Sequence, residues 1–350
     1  MKRSQEFELR KKCGDLNALC GIKDYVFNDG TARGVRAFDL NNGSGIQMTV
    51  LADRGLDIPY LSYKGYNVGV TGKVGIRSPY LYQENAGIGF LRQFNAGFLT
   101  TGGITYAGAA DEEDGRVLGL HGMADNTPAD RVGAWVDYEG DDRVLRVRGE
   151  IREADMFGPN MVIQRLLTLD TERSLLHIHD VVENQGYTDQ PMMLLYHINF
   201  GYPLLDEGAR AYFSARKVEP RTEFAAQGMD RYDVMEDAGM GREEQCYFHT
   251  DHPEGENFAM LHNAQLGIAA IVRYDGAALP LLCEWKCMRA GEYALGLEPT
   301  TCGVLSRRAA RESGMLQFMR PGETRAFDVT LELTDDPARI GEYIARAHKR

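Results

Sequence analysis

Short segments in which apolar and polar residues alternate follow one another along most of the 350-residue chain. A period of two is typical of a β-strand with one buried face, and glycine-rich turns separate the segments. The clearest case joins VRAFDL to IQMTVLAD through NNGSG, which predicts a β-hairpin. Strands and helices do not alternate as they do in parallel sheets. The pattern therefore predicts an all-β fold in which one antiparallel sheet packs on another.

Further segments extend this prediction. Two more hairpins are expected, with their turns at 140–142 and 171–173. The stretch 191–205, PMMLLYHINFGYPLL, is apolar almost throughout, which is typical of a strand covered on both faces. Short helices are predicted for 4–13, 221–228 and 337–348.

The chain contains no proline-rich or glycine–serine linker that would divide it. We expect an N-terminal arm over 1–30 and a single β-sandwich domain over 31–350. The segment 70–119 is rich in glycine and aromatic residues and lacks long alternating runs. It predicts long loops and short strands packed over one face, where loops of this length are commonly functional.

Charge and hydropathy exclude several classes of protein. A net charge of -12 without a basic run argues against nucleic-acid binding and favours a small-molecule partner. No apolar stretch approaches the roughly 18 residues of a membrane span, and the N-terminus lacks the apolar core of a secretory signal, so a cytoplasmic location is predicted. Six cysteines without CxxC spacing predict reduced thiols. A homodimer formed through the N-terminal arm is left open.

Ionisable side chains inside apolar segments are candidates for function, because burying an unpaired charge costs several kcal/mol. His197, in LLYHINFGY, is either a core histidine bonded to a carbonyl or a proton donor that works near neutral pH. Glu298 ends the apolar run YALGLE, where burial would make it a base. The alternative is an ion pair with Arg307 or Arg308.

Other polar residues are weaker candidates. His121 lies between glycines in GLHG, which exposes its ring to a ligand or marks an ordinary turn. Glu284 and Lys286 share one face of a predicted strand and Trp285 takes the other. The two charged residues form either a surface salt bridge or a polar wall that contacts ligand hydroxyls.

A further group of side chains has two interpretations each. Arg54 either pairs with Asp53 or hydrogen-bonds a ligand, and Arg92 and Gln93 in FLRQFNAG are candidates for ligand hydroxyls. The aromatic residues that could stack on a ligand, or simply pack in the core, are Phe94, Phe98, Tyr106 and Trp285.

Several strings together carry a family resemblance: LADRGLDI, GFLTTGG, GLHG followed by NTPA, LLYHINFGYPLL and LGLEPTT. They resemble the aldose 1-epimerase-like, or galactose mutarotase-like, superfamily, and within it the branch with a DUF4432-type domain. The resemblance runs from Arg33 to Asp335. It implies a large antiparallel β-supersandwich, in agreement with the strand pattern.

The resemblance also implies roles for individual residues. Glu298 matches the glutamate base of the superfamily, and His197, followed by Asn199, matches a histidine acid. His121, in the LHG string, matches a second histidine that positions the sugar. The chemistry implied is an isomerase reaction that interconverts sugar anomers by general acid/base catalysis, without a cofactor or metal.

The chain departs from galactose mutarotases at two places. It has no Asn-Arg pair ahead of the LHG string, so Arg92 or Arg54 is the candidate replacement for that arginine. Glu284 is the candidate replacement for a late aspartate. These departures leave the sugar, and any anionic group on it, unidentified. The predicted substrate-binding residues are Asn199, Arg54, Arg92, Gln93, Glu284, Lys286 and Trp285.

Two other functions are compatible with the sequence. One is a metal-dependent isomerase or epimerase acting at another sugar carbon, with His121, His197, Glu284 and Glu298 as metal ligands. The other is a sugar-binding protein without catalytic activity on the same fold.

Overall fold

A computed structural model describes residues 1–85, 87–113 and 115–347, and strands dominate them. In chain order the strands are β1 Gly21–Val26, β2 Arg36–Asn41, β3 Ile46–Leu51, β4 Asp57–Tyr63, β5 Tyr66–Asn67, β6 Val70–Thr71, β7 Ala96–Gly97, β8 Leu99–Gly102, β9 Asp111–Glu113, β10 Arg116–Leu118, β11 Asp130–Glu139, β12 Asp142–Ala154, β13 Asn160–Asp170, β14 Leu175–Asn184, β15 Gln190–Met192, β16 Leu195–Phe200, β17 Arg210–Phe213, β18 Lys217–Pro220, β19 Gln245–Thr250, β20 Glu256–Asn263, β21 Ile268–Asp275, β22 Leu281–Cys287, β23 Ala294–Thr300, β24 Gln317–Met319 and β25 Thr324–Thr334.

Helices are short and lie between the strands. The α-helices are α1 Glu6–Arg10, α2 Ile88–Gln93, α3 Glu223–Ala226, α4 Arg307–Glu312 and α5 Pro337–Arg346. Within the described ranges, no helix is both long and apolar enough to cross a membrane.

Two large antiparallel sheets form the sandwich. The front sheet has the order β1-β2-β3-β4-β8-β16-β23-β22-β19-β18, with β5 paired to β4. The back sheet has the order β11-β12-β13-β14-β25-β21-β20-β17. This architecture confirms the predicted all-β, antiparallel β-supersandwich class.

The core lies between the inner faces of the two sheets. In the back sheet, β14 alternates as its sequence predicts, and Ile178 and Val182 point into the core. In the front sheet, Tyr196 and Ile198 of β16 join the same cluster. Successive side chains of a strand point to opposite faces, so His197, between them, faces away from the core.

The middle of the front sheet is covered on its outer face as well. Tyr106 and Val304, from connecting segments, pack there against Leu195 and Cys283 in a second apolar cluster. All six residues of β16 are buried as a result. This confirms the prediction that the strand within 191–205 is covered on both faces.

A buried ionic network joins the two sheets. Arg165 of β13 is fully buried and donates two hydrogen bonds to the Asp180 carboxylate, at 2.9 and 2.7 Å. Its Nη1 reaches the front sheet, where it bonds the Thr101 hydroxyl at 2.8 Å and the Gly55 carbonyl at 3.0 Å. Asp57 completes the network by accepting from the Thr101 hydroxyl and backbone.

Most local predictions match the described elements. The three hairpins form as β2–β3, β11–β12 and β13–β14. In the first turn Gly43 and Gly45 take positive φ angles of 73° and 126°, which glycine adopts without strain. Helices α3 and α5 fall at the predicted positions, although 348–350 lie outside the described residues.

The N-terminal segment has more structure than the sequence indicates. Within the predicted arm of residues 1–30, β1 pairs with β2 and forms one edge of the front sheet. The helix predicted over 4–13 is the shorter α1, preceded by a turn of 3₁₀ helix at Arg3–Gln5. The Ser4 hydroxyl and backbone bond the Asp141 carboxylate at the β11–β12 turn.

Candidate active site

Strand register brings two sets of side chains together on the outer face of the front sheet. Asn199 of β16 lies opposite Gly296 of β23, which lies opposite Trp285 of β22. The same register sets His197 opposite Glu298, which lies opposite Cys283. These two cross-strand rows form the floor of the site.

His197 and Glu298 form a buried pair at the centre of this floor. The imidazole Nδ1 lies 3.2 Å from the carboxyl Oε1, and the residues are 6% and 2% exposed. Burial lowers the pKa of His197 to about 4 and raises the pKa of Glu298 well above the usual carboxyl range. Both shifts favour the uncharged forms, so the pair holds a single proton around neutral pH.

His121 lies above this pair on a constrained turn. Its φ angle is +56°, a left-handed conformation rare for residues other than glycine, and backbone bonds to Gly103 and Gly108 hold it there. The centre of its ring is 5.6 Å from that of His197. Burial, and then the neighbouring His197, lower the pKa of His121 to about 3, so its ring is neutral at physiological pH.

Two aromatic side chains flank the histidines. The His197 ring centre is 5.2 Å from that of Phe94, in the segment after α2, and 5.5 Å from that of Trp285. Both aromatic residues are partly exposed. Flat apolar faces beside polar groups are the usual partners of a sugar ring, which has apolar C–H faces and hydroxyl edges.

Unpaired polar atoms mark the site as a place for a ligand. Buried side-chain atoms are normally hydrogen-bonded, and each exception needs an explanation. Within the described residues, no hydrogen bond reaches four buried atoms here: His121 Nδ1, His197 Nδ1, Asn199 Oδ1 and Glu298 Oε1. They offer both donor and acceptor capacity to a polar ligand.

Gly296 gives the Glu298 side chain its room. The two residues are two apart on β23 and share a strand face. A Cβ atom on Gly296 would lie 2.1 Å from the Glu298 Oε1. The glycine is therefore required by the position of the carboxyl group.

Asn199 lies on the same strand face as His197. Its Nδ2 donates to the carbonyls of Ala96 and His197, both at 3.0 Å, which leaves its Oδ1 open. Of the four aromatic candidates, Phe94 and Trp285 line the site. Phe98 and Tyr106 are buried in the packing around it.

Glu284 and Lys286 require a correction. They share a strand face opposite to Trp285, as predicted, but that face is the inner one. A hydrogen bond of 2.9 Å joins the Glu284 carboxyl to Nε2 of the buried His249. The Lys286 Nζ lies 2.8 Å from the Glu236 carboxylate. Neither lies on the face that carries His197 and Glu298, so the structure does not bring these two predicted substrate-binding residues to the site.

The proposed metal set fails for the same reason. Glu284 lies on the far side of the sheet from His121, His197 and Glu298, so these four predicted ligands do not converge. Across 1–85, 87–113 and 115–347, no group of at least three His, Cys, Asp or Glu side chains has the arrangement of a metal site.

Arg54 also differs from its prediction as a ligand-binding residue. It is buried and its guanidinium bonds the Asp125 carboxylate at 3.0 Å and the Asp125 carbonyl at 2.7 Å. It also donates to the carbonyls of Arg77 and Gln93, at 3.1 and 3.3 Å. Arg54 thus anchors the segment that carries α2 and Phe94 instead of contacting a ligand.

The two neighbouring candidates belong to that segment. Gln93, the last residue of α2, is buried. Its Nε2 donates a long hydrogen bond of 3.5 Å to the Ser78 carbonyl, which ties the end of α2 to the preceding loop. Arg92 is exposed on the outside of α2. The structure places neither side chain against His197 or Glu298.

Two polar residues at the site were missed by sequence reasoning. The Glu244 carboxylate accepts from Arg221 Nη2 at 2.8 Å and from the indole Nε1 of Trp285 at 2.7 Å. Arg221 and Glu244 both lie within 206–256, a polar stretch with little periodicity.

The chain has the fold of solved galactose mutarotase-like proteins. The family described as a domain of unknown function, DUF4432, matches residues 32–333, and the chain belongs to it. None of the curated proteins matches the chain.

Solved structures share the fold at low sequence identity. A proposed aldose 1-epimerase from Klebsiella pneumoniae is 23% identical, with a TM-score of 0.88 over 93% of this chain and 86% of that chain. A galactose mutarotase-like protein from Clostridium acetobutylicum is 13% identical, with a TM-score of 0.63 over 91% and 99%. A galactose 1-epimerase from Lactobacillus acidophilus is 14% identical, with a TM-score of 0.57 over 90% and 99%. These likenesses establish the fold.

Proposed function

We propose that the protein is an isomerase that interconverts the anomers of a free sugar by general acid/base catalysis. The observation that carries the proposal is the buried His197–Glu298 pair. Its Nδ1 and Oε1 atoms lie 3.2 Å apart but outside hydrogen-bond geometry, and neither has another hydrogen-bond partner among the described residues. Fold likeness to proteins named as aldose 1-epimerases supports the same class of reaction.

The reaction requires two proton transfers. Opening a cyclic hemiacetal removes a proton from the anomeric hydroxyl and adds one to the ring oxygen as the C1–O5 bond breaks. The aldehyde then rotates, and the reverse transfers close the ring on its other face. In the proposal, Glu298 takes the hydroxyl proton and His197 supplies the proton to the ring oxygen.

The charge state of the pair suits this cycle. A neutral imidazole beside a protonated carboxyl has the same total charge and proton count as an imidazolium beside a carboxylate. Moving the proton from Glu298 to His197 therefore prepares the base and the acid without exchange with solvent. A bound sugar supplies the hydrogen bonds that the charged forms need in a buried site.

His121 has a different role in the proposal. Because its ring stays neutral, one nitrogen donates and the other accepts a hydrogen bond. Its ring centre lies 5.6 Å from that of His197, close enough for both to contact one sugar ring. We assign it to positioning the ring oxygen or the neighbouring hydroxyl.

The direct test is anomer exchange measured by magnetisation-transfer NMR. The panel would contain D-galactose, D-glucose, D-mannose, D-xylose, L-arabinose and L-fucose, each with and without protein and chelator. We expect faster exchange than in buffer for at least one sugar, with no effect of the chelator. Exchange abolished by the chelator would favour a metal-dependent isomerase, and binding without exchange would favour a sugar-binding protein.

The shifted pKa values predict the pH dependence of this exchange. Below about pH 4 His197 gains a proton, so the pair holds two protons and lacks a base. Above the raised pKa of Glu298 the pair holds none and lacks an acid. After subtraction of the buffer rate, we expect kcat/KM to fall on the acid side near pH 4. An acid limb near pH 6.5, the ordinary histidine value, would contradict the assignment.

A further inference from the structure

The floor of the site continues beyond Trp285 to one more charged residue. Cys246 of β19 lies opposite Trp285, and the Arg221 N–H donates to the Cys246 carbonyl at 2.9 Å. This bond extends the β18–β19 pairing by one residue past Pro220. The Arg221 side chain consequently lies at the end of the row that contains Gly296 and Trp285, on the ligand face.

Glu244 holds Arg221 and Trp285 in fixed positions. One carboxylate oxygen accepts from the guanidinium Nη2 and the other accepts from the indole Nε1. The arrangement fixes the plane of the indole ring and the direction of the guanidinium before any ligand binds. Preorganisation of this kind reduces the entropy lost on binding.

Hydrogen-bonding capacity remains on both charged groups. In the part of the chain that the structure describes, Arg221 Nη2 bonds Glu244, whereas Nε and Nη1 have no protein acceptor. The Arg221 side chain is 26% exposed and that of Glu244 is 47% exposed, so both are open to solvent at the edge of the site. Each carboxylate oxygen also retains a free lone pair.

The charge of Arg221 reaches Glu298 and His121. Burial is the main cause of the shifted pKa values of Glu298 and His121, and the Arg221 cation adds to the effect on His121 and opposes it on Glu298. The position of Arg221 at the end of the row that contains Trp285 likewise puts it at the border of the same ligand volume.

We propose that Arg221 and Glu244 bind two neighbouring hydroxyl groups of a neutral sugar whose apolar face packs on Trp285, and that this pair determines which sugar is accepted. The inference rests on the proposed function, since it names the substrate class of the same site. The guanidinium donates to one hydroxyl oxygen and the carboxylate accepts from the other hydroxyl. A vicinal diol has the spacing and the mixed donor–acceptor character that such a pair matches.

The charge balance favours a neutral ligand over an acidic sugar. Glu244 neutralises Arg221 directly, and the His197–Glu298 pair has no net charge. A carboxylate or sulfonate on the sugar would meet one cation and one anion at the same place. Its lost hydration would not be compensated, whereas a pair of hydroxyls bonds both groups.

Binding in the absence of turnover tests this inference. In a Glu298→Gln background, dissociation constants would be measured by NMR titration for the six sugars of the exchange panel. The tightest binder would then be compared with its monodeoxy analogues and its uronic acid. We expect loss of either of two adjacent hydroxyls to weaken binding by about 10- to 100-fold, the range for hydrogen bonds to charged groups.

Substitutions at the pair identify the cause. In Arg221→Gln and Glu244→Gln, the corresponding deoxy sugar should bind almost as tightly as the parent sugar, because the charged group that bonds the missing hydroxyl is no longer present. Arg36→Gln is the matched control, since Arg36 forms an exposed pair with Asp24 in β1 and β2, and it should keep the full penalty.

Three results would overturn the inference. They are penalties unchanged in both variants, tighter binding of the uronic acid than of the neutral sugar, and no measurable binding of any sugar in the panel. Failure of the proposed reaction looks different, because wild type would then show no anomer exchange while the Glu298→Gln protein still bound sugars with the expected hydroxyl dependence.

Discussion

Glu298→Gln should reduce anomer exchange by about 10²- to 10⁴-fold, the usual contribution of one proton-transfer group. Glutamine keeps the size and one oxygen of the carboxyl group but cannot accept the anomeric proton. Since burial already favours the uncharged carboxyl, the neutral amide should not lower the thermal stability of the fold. Exchange rates by NMR and melting by circular dichroism check both expectations.

Glu284→Gln is the matched control for this variant. Glu284 is equally buried, on the neighbouring strand β22, but it faces the core and contacts His249. We expect exchange to be unchanged there, because the residue does not reach the ligand face. Equal losses in the two variants would indicate a general disturbance of the sheet and would remove the case for Glu298 as the base.

Gly296→Ala gives an independent route to the same result. The new Cβ would lie only 2.1 Å from the Glu298 Oε1, so the carboxyl group would have to move. The backbone conformation at this position is allowed for alanine. A misplacement of about 1 Å can cost on the order of 10²-fold in rate. A folded Gly296→Ala protein with normal exchange would show that the position of the carboxyl does not matter.

Local sequence patterns predicted the fold because they report local physics. The turn NNGSG between alternating runs specified the β2–β3 hairpin, and the apolar run around Tyr196 specified a strand covered on both faces. Residues 21–26 were assigned to an arm, since their partner strand begins only at Arg36 and nothing in their own pattern reports the pairing. Pairing between strands depends on contacts that are distant in sequence.

The candidate site was predictable only in part. His197, Asn199 and Glu298 stand out because polar residues inside apolar strands need partners. The alternation of side chains along a strand correctly placed Glu284 and Trp285 on opposite faces of the sheet. Alternation alone does not show which face carries the ligand. That choice depends on the register of β22 against β23, which sets Trp285 opposite Gly296.

Long-range ion pairs were beyond the sequence for a related reason. The sequence leaves Arg54 available to a ligand, but its carboxylate partner Asp125 lies 71 residues away. Arg221 and Glu244 are likewise separated by 23 residues and lie beside irregular segments. Charge in a sequence shows that a partner is needed, and only the fold identifies it.

Arg165→Met should lower the free energy of unfolding by about 3–5 kcal/mol, the usual cost of breaking a buried ion pair. Methionine fills much of the volume but leaves Asp180 and Asp57 without the cation that both contact. Urea denaturation at neutral pH would measure the loss. Arg116→Met is the control, since its pair with Asp155 is exposed and contributes about 0–1 kcal/mol.

The pH dependence of that loss separates charge from packing. Burial raises the pKa of Asp57 to about 7, and Arg165 opposes the shift. A carboxyl whose folded pKa exceeds its unfolded value destabilises the fold as pH rises between the two values. Removing Arg165 raises the folded pKa further and extends this window upward. The deficit of Arg165→Met should therefore be larger at pH 8.5 than at pH 5.5, whereas a cavity alone would give the same deficit at both.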